Sequence, residues 1–371
     1  MTGLQALVAL ALFAPGVLGP QLGYGEGTIS LFATACFAVG VATSLYGGLL
    51  AARLGSFMVA ALCALAIAIA MAVASIGTLV ALVASGLIVG FAFGPETPAS
   101  STLLARLARP EQRPLIFSVR QTGNQIGAMI GSLTLPVIAL ASPRAGYAVI
   151  VALALAAAAV FLGLRAPYDV FARGPAWRLD WRASVRLVRS EPGLARLALA
   201  SMPYSAMQLA LNAYFVTFAI ERLRLPYVTA GLLLAVAQAG GLVGRLGWGW
   251  VAMRVASAHG VIVGLGLAMA VLAVLIGSLG PGWPLPLVAV AAFVFGLTAS
   301  GWNGVFLAEV ARLAPERRVA EATGAVLTAS YAGLLLGPLL VAAMASWASL
   351  SASYAVLGVV ALLATLPLLR R

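Results

Sequence analysis

Glu96 is the residue of this sequence best placed to do chemistry. It sits in FAFGPETPASS, well inside an apolar run, between Pro95 and Pro98. Those prolines disrupt local hydrogen bonding and are expected to bend the helix there. A charged group in hydrocarbon is costly and needs a reason to be there. A carboxylate so placed can take up and release a proton, or can contact a ligand. It can equally do no more than neutralise a buried cation. Arg120, in the next apolar run, is the available cation. Counted inward from the segment joining the two runs, the two residues lie at similar depth. Arg120 opens a polar stripe with Asn124 at i+4, and Gln121 and Gln125 lie one step round the helix. A guanidinium there suits a carboxylate ligand, gripped by two parallel hydrogen bonds. The alternative is that it serves only Glu96.

Further along, Tyr204, Gln208 and Asn212 recur at i, i+4 and i+8 on one helical face. Trp302 and Asn303 offer an aromatic wall and an amide donor, and Tyr331 a phenol. Each either touches a ligand or bonds to a neighbouring helix. Gly123, Gly127 and Gly131, at spacing four, point to close helix packing. Arg245 falls near the end of its run, where a long side chain can reach out to the interface, so a gate or packing role is expected. His259 is the only histidine, lies at a loop edge and is given no role. Cys36 and Cys63 fall inside apolar runs and read as small buried hydrophobes. The chain has no lysine, hence no phosphate loop of the Walker type. No His, Cys and acid cluster suggests a metal site. No enzymatic activity, metal or cofactor is expected.

These residues must be positioned by membrane-spanning helices. The chain has 371 residues, 63% hydrophobic and 9% charged, too few polar groups to cover a soluble protein of this size. Its apolar residues come in runs long enough to cross roughly 30 Å of hydrocarbon as helix. Twelve such runs are read, at about 2–19, 29–52, 56–75, 77–105, 115–140, 145–164, 195–220, 226–252, 259–279, 285–310, 320–346 and 349–369. The N-terminal segment lacks a basic leader and is read as the first span.

The arginines report the threading. The breaks after spans 2, 4, 6, 8 and 10, with the C-terminal tail, hold Arg53; Arg106, Arg109 and Arg113; Arg165, Arg173, Arg178, Arg182, Arg186, Arg189 and Arg196; Arg254; Arg312, Arg317 and Arg318; and Arg370 and Arg371. The opposite breaks hold only Arg144, Arg222 and Arg224. The positive-inside rule places the first set, and both termini, in the cytoplasm of a bacterial inner-membrane protein. The net charge of +12 is dispersed over these loops, and no soluble basic domain exists to carry nucleic acid. The expected partners are a small-molecule substrate, protons and anionic membrane lipids, with the chain a monomer.

The longest polar stretch, 166–194, separates a six-span bundle at 1–165 from a second at 195–371. Within it Trp177, Trp181, Val185 and Val188 recur at helical spacing, flanked by Arg178, Arg182, Arg186 and Arg189. That pattern reads as an amphipathic helix on the inner leaflet, its arginines near anionic headgroups. The halves also repeat. LYGGLLAAR (45–53) matches LGWGWVAMR (246–254) at an offset of 201, and LARLARPEQR (104–113) matches VARLAPERR (310–318) at 206 falling to 205. Each match ends an equivalent span, as in a duplicated six-helix unit.

Over essentially its whole length the chain resembles the major facilitator superfamily (MFS). The family's loop after span 2 reads Gly-x-x-x-Asp-Arg-x-Gly-Arg. Gly48, Arg53 and Gly55 are in place, with Ala52 at the Asp position and Ser56 at the second Arg. In the second half Gly249 and Arg254 match, with Met253 at the Asp position. The family's Asp joins a charge cluster that latches one state, so the resemblance leaves that latch in doubt. Glu309, Glu316 and Glu321 with Arg312, Arg317 and Arg318 are a charge network that could replace it. SVRQTGNQIG (118–127) and GWNGVFLAEVARLAPERR (301–318) resemble a bacterial branch of undefined substrate. The span 5 antiporter signature is not met; Gly333, Gly337 and Pro338 give a nearer fragment in span 11.

The resemblance implies an all-α membrane protein, twelve transmembrane helices in two pseudo-symmetric bundles around a midplane site. It implies secondary active transport of a small organic solute by alternating access, coupled to protons through Glu96. An organic-anion exchanger or uniporter using Arg120 is the second reading. A non-transporting receptor or scaffold on the same fold is the third.

Overall fold

The computed structural model describes residues 1–23, 26–169, 181–315 and 318–369. They are helical almost throughout, with no strand among the described residues. The first six predicted runs become α1 (Thr2–Leu18), α2 (Glu26–Leu54), α3 (Ser56–Ala74), α4 (Leu79–Leu107), α5 (Arg113–Ala139) and α6 (Pro143–Tyr168). The polar stretch contributes a short helix, α7 (Trp181–Ser190). Then follow α8 (Pro192–Glu221), α9 (Tyr227–Arg254), α10 (Ala258–Ser278), α11 (Leu285–Ala299), α12 (Asn303–Leu313), α13 (Val319–Trp347) and α14 (Leu350–Thr365).

Nine helical stretches among the described residues are long and apolar enough to cross a membrane. The other three predicted spans are α1, 17 residues long, and α5 and α8, of 27 and 30 residues. α5 and α8 carry the polar stripes of Arg120 and of Tyr204, which lower their hydropathy. Helix starts follow the local chemistry. Thr78, Ser142, Ser257 and Ser349 each accept a backbone N–H of the first turn, satisfying a donor that the helix itself cannot.

The single run predicted at 285–310 is interrupted, and the cause is visible. The indole N–H of Trp248 on α9 donates to the carbonyl of Leu297 at 2.9 Å. A continuing helix would offer that carbonyl to Gly301. The segment Ser300–Trp302 leaves the helix there, and α12 begins at Asn303.

The chain forms two compact units. The first comprises Met1–Ala108, Arg120–Leu187 and Ala314–Thr328; the second comprises Arg109–Val119, Val188–Leu313 and Ala329–Arg371. In the first, α2 packs on α4, and α3 packs on α4 and α6. In the second, α9 packs on α11, and α10 packs on α14. These are the same span pairings (2 with 4, 3 with 6; 8 with 10, 9 with 12), so the sequence repeat is also a repeat of packing.

Glycine makes the equivalent approaches possible. Methyl groups at Gly86 and Gly90 of α4 would lie 2.5 and 2.6 Å from the carbonyls of Phe32 and Cys36 on α2. Gly240 and Gly244 of α9 face the carbonyls of Phe293 and Leu297 in the same manner. With no hydrophobic drive between helices in lipid, such close backbone contact is what holds them. Gly123 and Gly127 of α5 lie against Thr2 and Ala6 of α1, while Gly333 and Gly337 of α13 lie against Met202 and Ala206 of α8. With Gly131 facing the Leu10 side chain of α1, all these glycines sit at packing contacts.

Candidate functional site

In the first unit, the polar residues of α1, α4 and α5 meet. Arg120 Nη2 donates to Glu96 Oε1, and the pair is sealed: Arg120 is 2% exposed and Glu96 3%. Arg120 Nη2 also reaches Thr97 Oγ1 at 3.2 Å, and that hydroxyl donates to Glu96 Oε2 at 2.9 Å. Thr97 thus ties both ends of the pair. Gln5 on α1 donates to Gln121 Oε1 at 2.5 Å, one position from Arg120. Arg120 Nε and Nη1, and Gln5 Oε1, are buried without a hydrogen-bond partner. Such groups are expensive to leave unsatisfied. Asn124 lies one turn further along α5 and is partly exposed.

The pair is not at the helix midpoints. With a helical rise of about 1.5 Å per residue, Glu96 lies about 16 Å from the end of α4 and Arg120 about 10 Å from the start of α5. Gln5 lies in the first turns of α1, at the level of Gln121.

In the second unit the stripe on α8 is divided among three neighbours. Tyr204 is fully buried; its hydroxyl bonds Thr365 Oγ1 of α14 at 2.7 Å, and its ring meets Trp302 edge-on at 5.5 Å. Gln208 accepts from Asn303 Nδ2 at 3.0 Å, and Asn212 accepts from Gln238 of α9 at 2.8 Å. Expected either to face a substrate or to bond neighbouring helices, the three differ here: Tyr204 is fully buried, whereas Gln208 and Asn212 remain partly exposed. Trp302 is buried in the α11–α12 break with its indole nitrogen unpartnered, and Tyr331 is buried on α13. Asn303 opens α12, so the break in span 10 brings an amide and an indole onto the α8 stripe.

Gly48 and Gly249 of the loop motif sit at close contacts between elements. Gly48 of α2 faces the first turn of α13, and a methyl there would lie 2.5 Å from the backbone nitrogen of Glu321. Gly249 of α9 faces Ser118, whose hydroxyl would lie 2.5 Å from the added methyl. Gly55 has φ +88°, in the left-handed region that suits glycine. Ala52, at the missing Asp position, is exposed, and Arg53 is partly so. Arg254 is exposed at the end of α9. Arg245 is 1% exposed. It does not reach outward past its helix, because the end of α9 is about 13 Å away.

Sequence reasoning overlooked Asp169. It follows α6 and accepts the backbone N–H groups of Phe57 and Met58 at 3.0 and 2.9 Å, capping α3 from a distance. A lone acid beside a basic stretch was the available signal. The expected network of acids and arginines is two separate pairs among the described residues. Arg312 grips Glu309 through two 2.7 Å bonds, and Arg318 grips Glu321 at 2.8 and 2.7 Å. The hydrogen bonds to Glu321 raise the pKa of Arg318 further. His259, given no role, lies 3.6 Å from Glu309 and 2.8 Å from the carbonyl of Leu368. Glu316, Arg317, Arg173, Trp177, Arg178, Arg370 and Arg371 lie outside the described residues. Among the described residues no cluster could hold a metal ion.

The sequence profile of the Major Facilitator Superfamily matches residues 1–306. No curated protein sequence matches the chain. Among solved structures, the E. coli fucose:proton symporter aligns over 99% of this chain and 96% of its own, with a TM-score of 0.77 and 18% identity. The human organic anion transporter MFSD10 aligns over 99% and 97%, at 0.78 and 19%. A bacterial homologue of the iron transporter ferroportin, in an outward-facing state, aligns over 99% and 97%, at 0.71 and 15%. Identities this low carry the fold and not the substrate. With the profile, the shared fold and the multi-pass helical architecture in agreement, this chain belongs to the Major Facilitator Superfamily.

Proposed function

We propose that the protein is a secondary active transporter of the bacterial inner membrane, moving a small organic solute by alternating access of two six-helix bundles, 1–165 and 195–371, joined by the linker 166–194. Proton coupling is assigned to Glu96. The observation that carries this reading is the sealed Glu96–Arg120 pair, with two Arg120 nitrogens left unpartnered. Protonating Glu96 removes the charge that holds Arg120, and an unpaired buried charge is costly. Proton uptake therefore alters what Arg120 can bind. Structural likeness to a fucose:proton symporter agrees with such coupling.

A thermal-shift screen of the purified protein against metabolites identifies the solute, and its flux is then followed in proteoliposomes. A pH gradient should drive accumulation by the wild-type protein. Glu96→Gln should abolish accumulation while keeping solute exchange. Unchanged gradient-driven uptake by that variant would sink the assignment.

A second reading, an organic-anion exchanger or uniporter, is favoured by the unpartnered Nε and Nη1 of Arg120, each of which has a hydrogen bond to donate to an anion. In that case Arg120→Gln abolishes anion binding, and an imposed proton gradient drives no accumulation. Absence of flux for every solute that binds would instead support a receptor or scaffold.

A further inference from the structure

The transport reading leaves α7 unused. This ten-residue helix lies wholly in the polar stretch between α6 and α8, yet it is sharply two-faced. Ser184 and Leu187 are buried, each 4% exposed. Arg182, Arg186 and Arg189 are exposed. At about 100° per residue the three arginines fall within an arc of ~60°, opposite Ser184. The row runs ~10 Å along the helix axis. It is flanked by Val185 and Val188, both half-buried.

The buried side makes a specific contact within the first unit. Ser184 Oγ donates to Glu321 Oε1 at 3.4 Å. Glu321 belongs to the first turn of α13 and is also held by Arg318. The backbone of that same turn is the surface against which Gly48 of α2 is seated. Two further contacts join the same helices: Ser44 Oγ of α2 lies 3.0 Å from Thr328 Oγ1, and Gly324 faces the carbonyl of Ser44. α7 therefore leans on the residue at which α13 meets α2.

We propose that α7 is a sensor of membrane charge: Arg182, Arg186 and Arg189 bind anionic phospholipid headgroups, and Ser184 passes the restraint to Glu321, holding the first turn of α13 on Gly48. Three observations fit an anionic lipid as the occupant. The row is purely cationic, and a negative leaflet attracts each such arginine. The arginine distribution places the loop that carries α7 on the cytoplasmic side, where anionic lipid is enriched. The half-buried valines beside the row present an apolar flank, as a helix lying at the interface requires. The inference is independent of what the protein carries.

Hydrogen–deuterium exchange of the full chain tests it, in nanodiscs of phosphatidylcholine alone and of phosphatidylcholine with phosphatidylglycerol. Phosphatidylglycerol should slow exchange of 181–190 and of 319–328 roughly tenfold or more, and added salt should reverse the effect. The triple variant Arg182→Gln, Arg186→Gln, Arg189→Gln should show no response to phosphatidylglycerol, with its melting temperature in phosphatidylcholine unchanged. Ser184→Ala should keep the response of 181–190 and lose that of 319–328. Equal exchange in the two lipids would overturn the proposal. So would equal protection by free inorganic phosphate in phosphatidylcholine, which would make the row a site for a soluble anion. A response confined to 181–190 in the wild type would overturn the link to Glu321.

Discussion

Arg120 of α5 donates to Glu96 of α4 at a level where both side chains are almost entirely shielded, and Thr97 bonds to each partner. Removing one member leaves the other as an unpaired buried charge. Arg120→Gln and Glu96→Gln should each lower unfolding stability by about 3–5 kcal/mol. The double variant should recover most of that loss. Denaturation in detergent micelles measures it, and additive losses in the double variant would show that the two side chains do not act as a pair.

Gly48 and Gly249 occupy equivalent places in the sequence repeat but have different neighbours. A methyl at 48 meets the backbone of Ala320 and Glu321, which cannot swing aside. A methyl at 249 meets the hydroxyl and the Cβ of Ser118 at 2.5 and 2.6 Å, with the carbonyl of Pro114 3.0 Å away. Gly48→Ala and Gly249→Ala should therefore both destabilise, each by about 1–3 kcal/mol. Adding Ser118→Gly should relieve the second variant and leave the first unchanged. Melting temperatures of the four proteins decide this.

Asp169 caps α3 with both carboxylate oxygens. Asp169→Ala should cost about 1 kcal/mol, within the usual range for a lost cap. Gly55→Ala should cost more. It places a side chain at φ +88° and drives its methyl into the Asp169 carboxyl. Exchange at the amides of Phe57 and Met58 should rise in Asp169→Ala, and unchanged protection there would rule the cap out.

The α8 stripe should separate stability from flux. Tyr204→Phe removes a buried bond to Thr365 and should lower stability by about 1 kcal/mol with little effect on solute affinity. Asn303→Ala releases the partly exposed Gln208 and should change apparent affinity with a smaller loss of stability. Comparable loss of affinity in both variants would return Tyr204 to the substrate-facing set.

Much of this arrangement was readable from residue order, because the signals involved are local. Run length and apolar content located the helices, with ends set by Gly, Pro and Ser within a few residues. The duplicated segments around Arg53 and Arg254 indicated a six-helix unit present twice, and the pairing of α2 with α4 recurs in that of α9 with α11. Counting inward from their shared break placed Glu96 and Arg120 within about 6 Å of each other in depth, and the two do pair. Depth along a helix follows directly from residue number, and so was available.

Rotation about the helix axis and the choice of neighbour do not follow from residue number. The periodicity that put Tyr204, Gln208 and Asn212 on one stripe could not say that each meets a different helix. Nor could it show that Trp248 takes the Leu297 carbonyl and interrupts span 10, or that Asp169 reaches back to α3. The length of the apolar runs and the matched segments by themselves determined a multi-pass membrane protein and its internal repeat, since both are written in residue order. Tertiary structure decided which polar groups satisfy one another, because a buried donor can bond only to acceptors on whatever helix packs beside it.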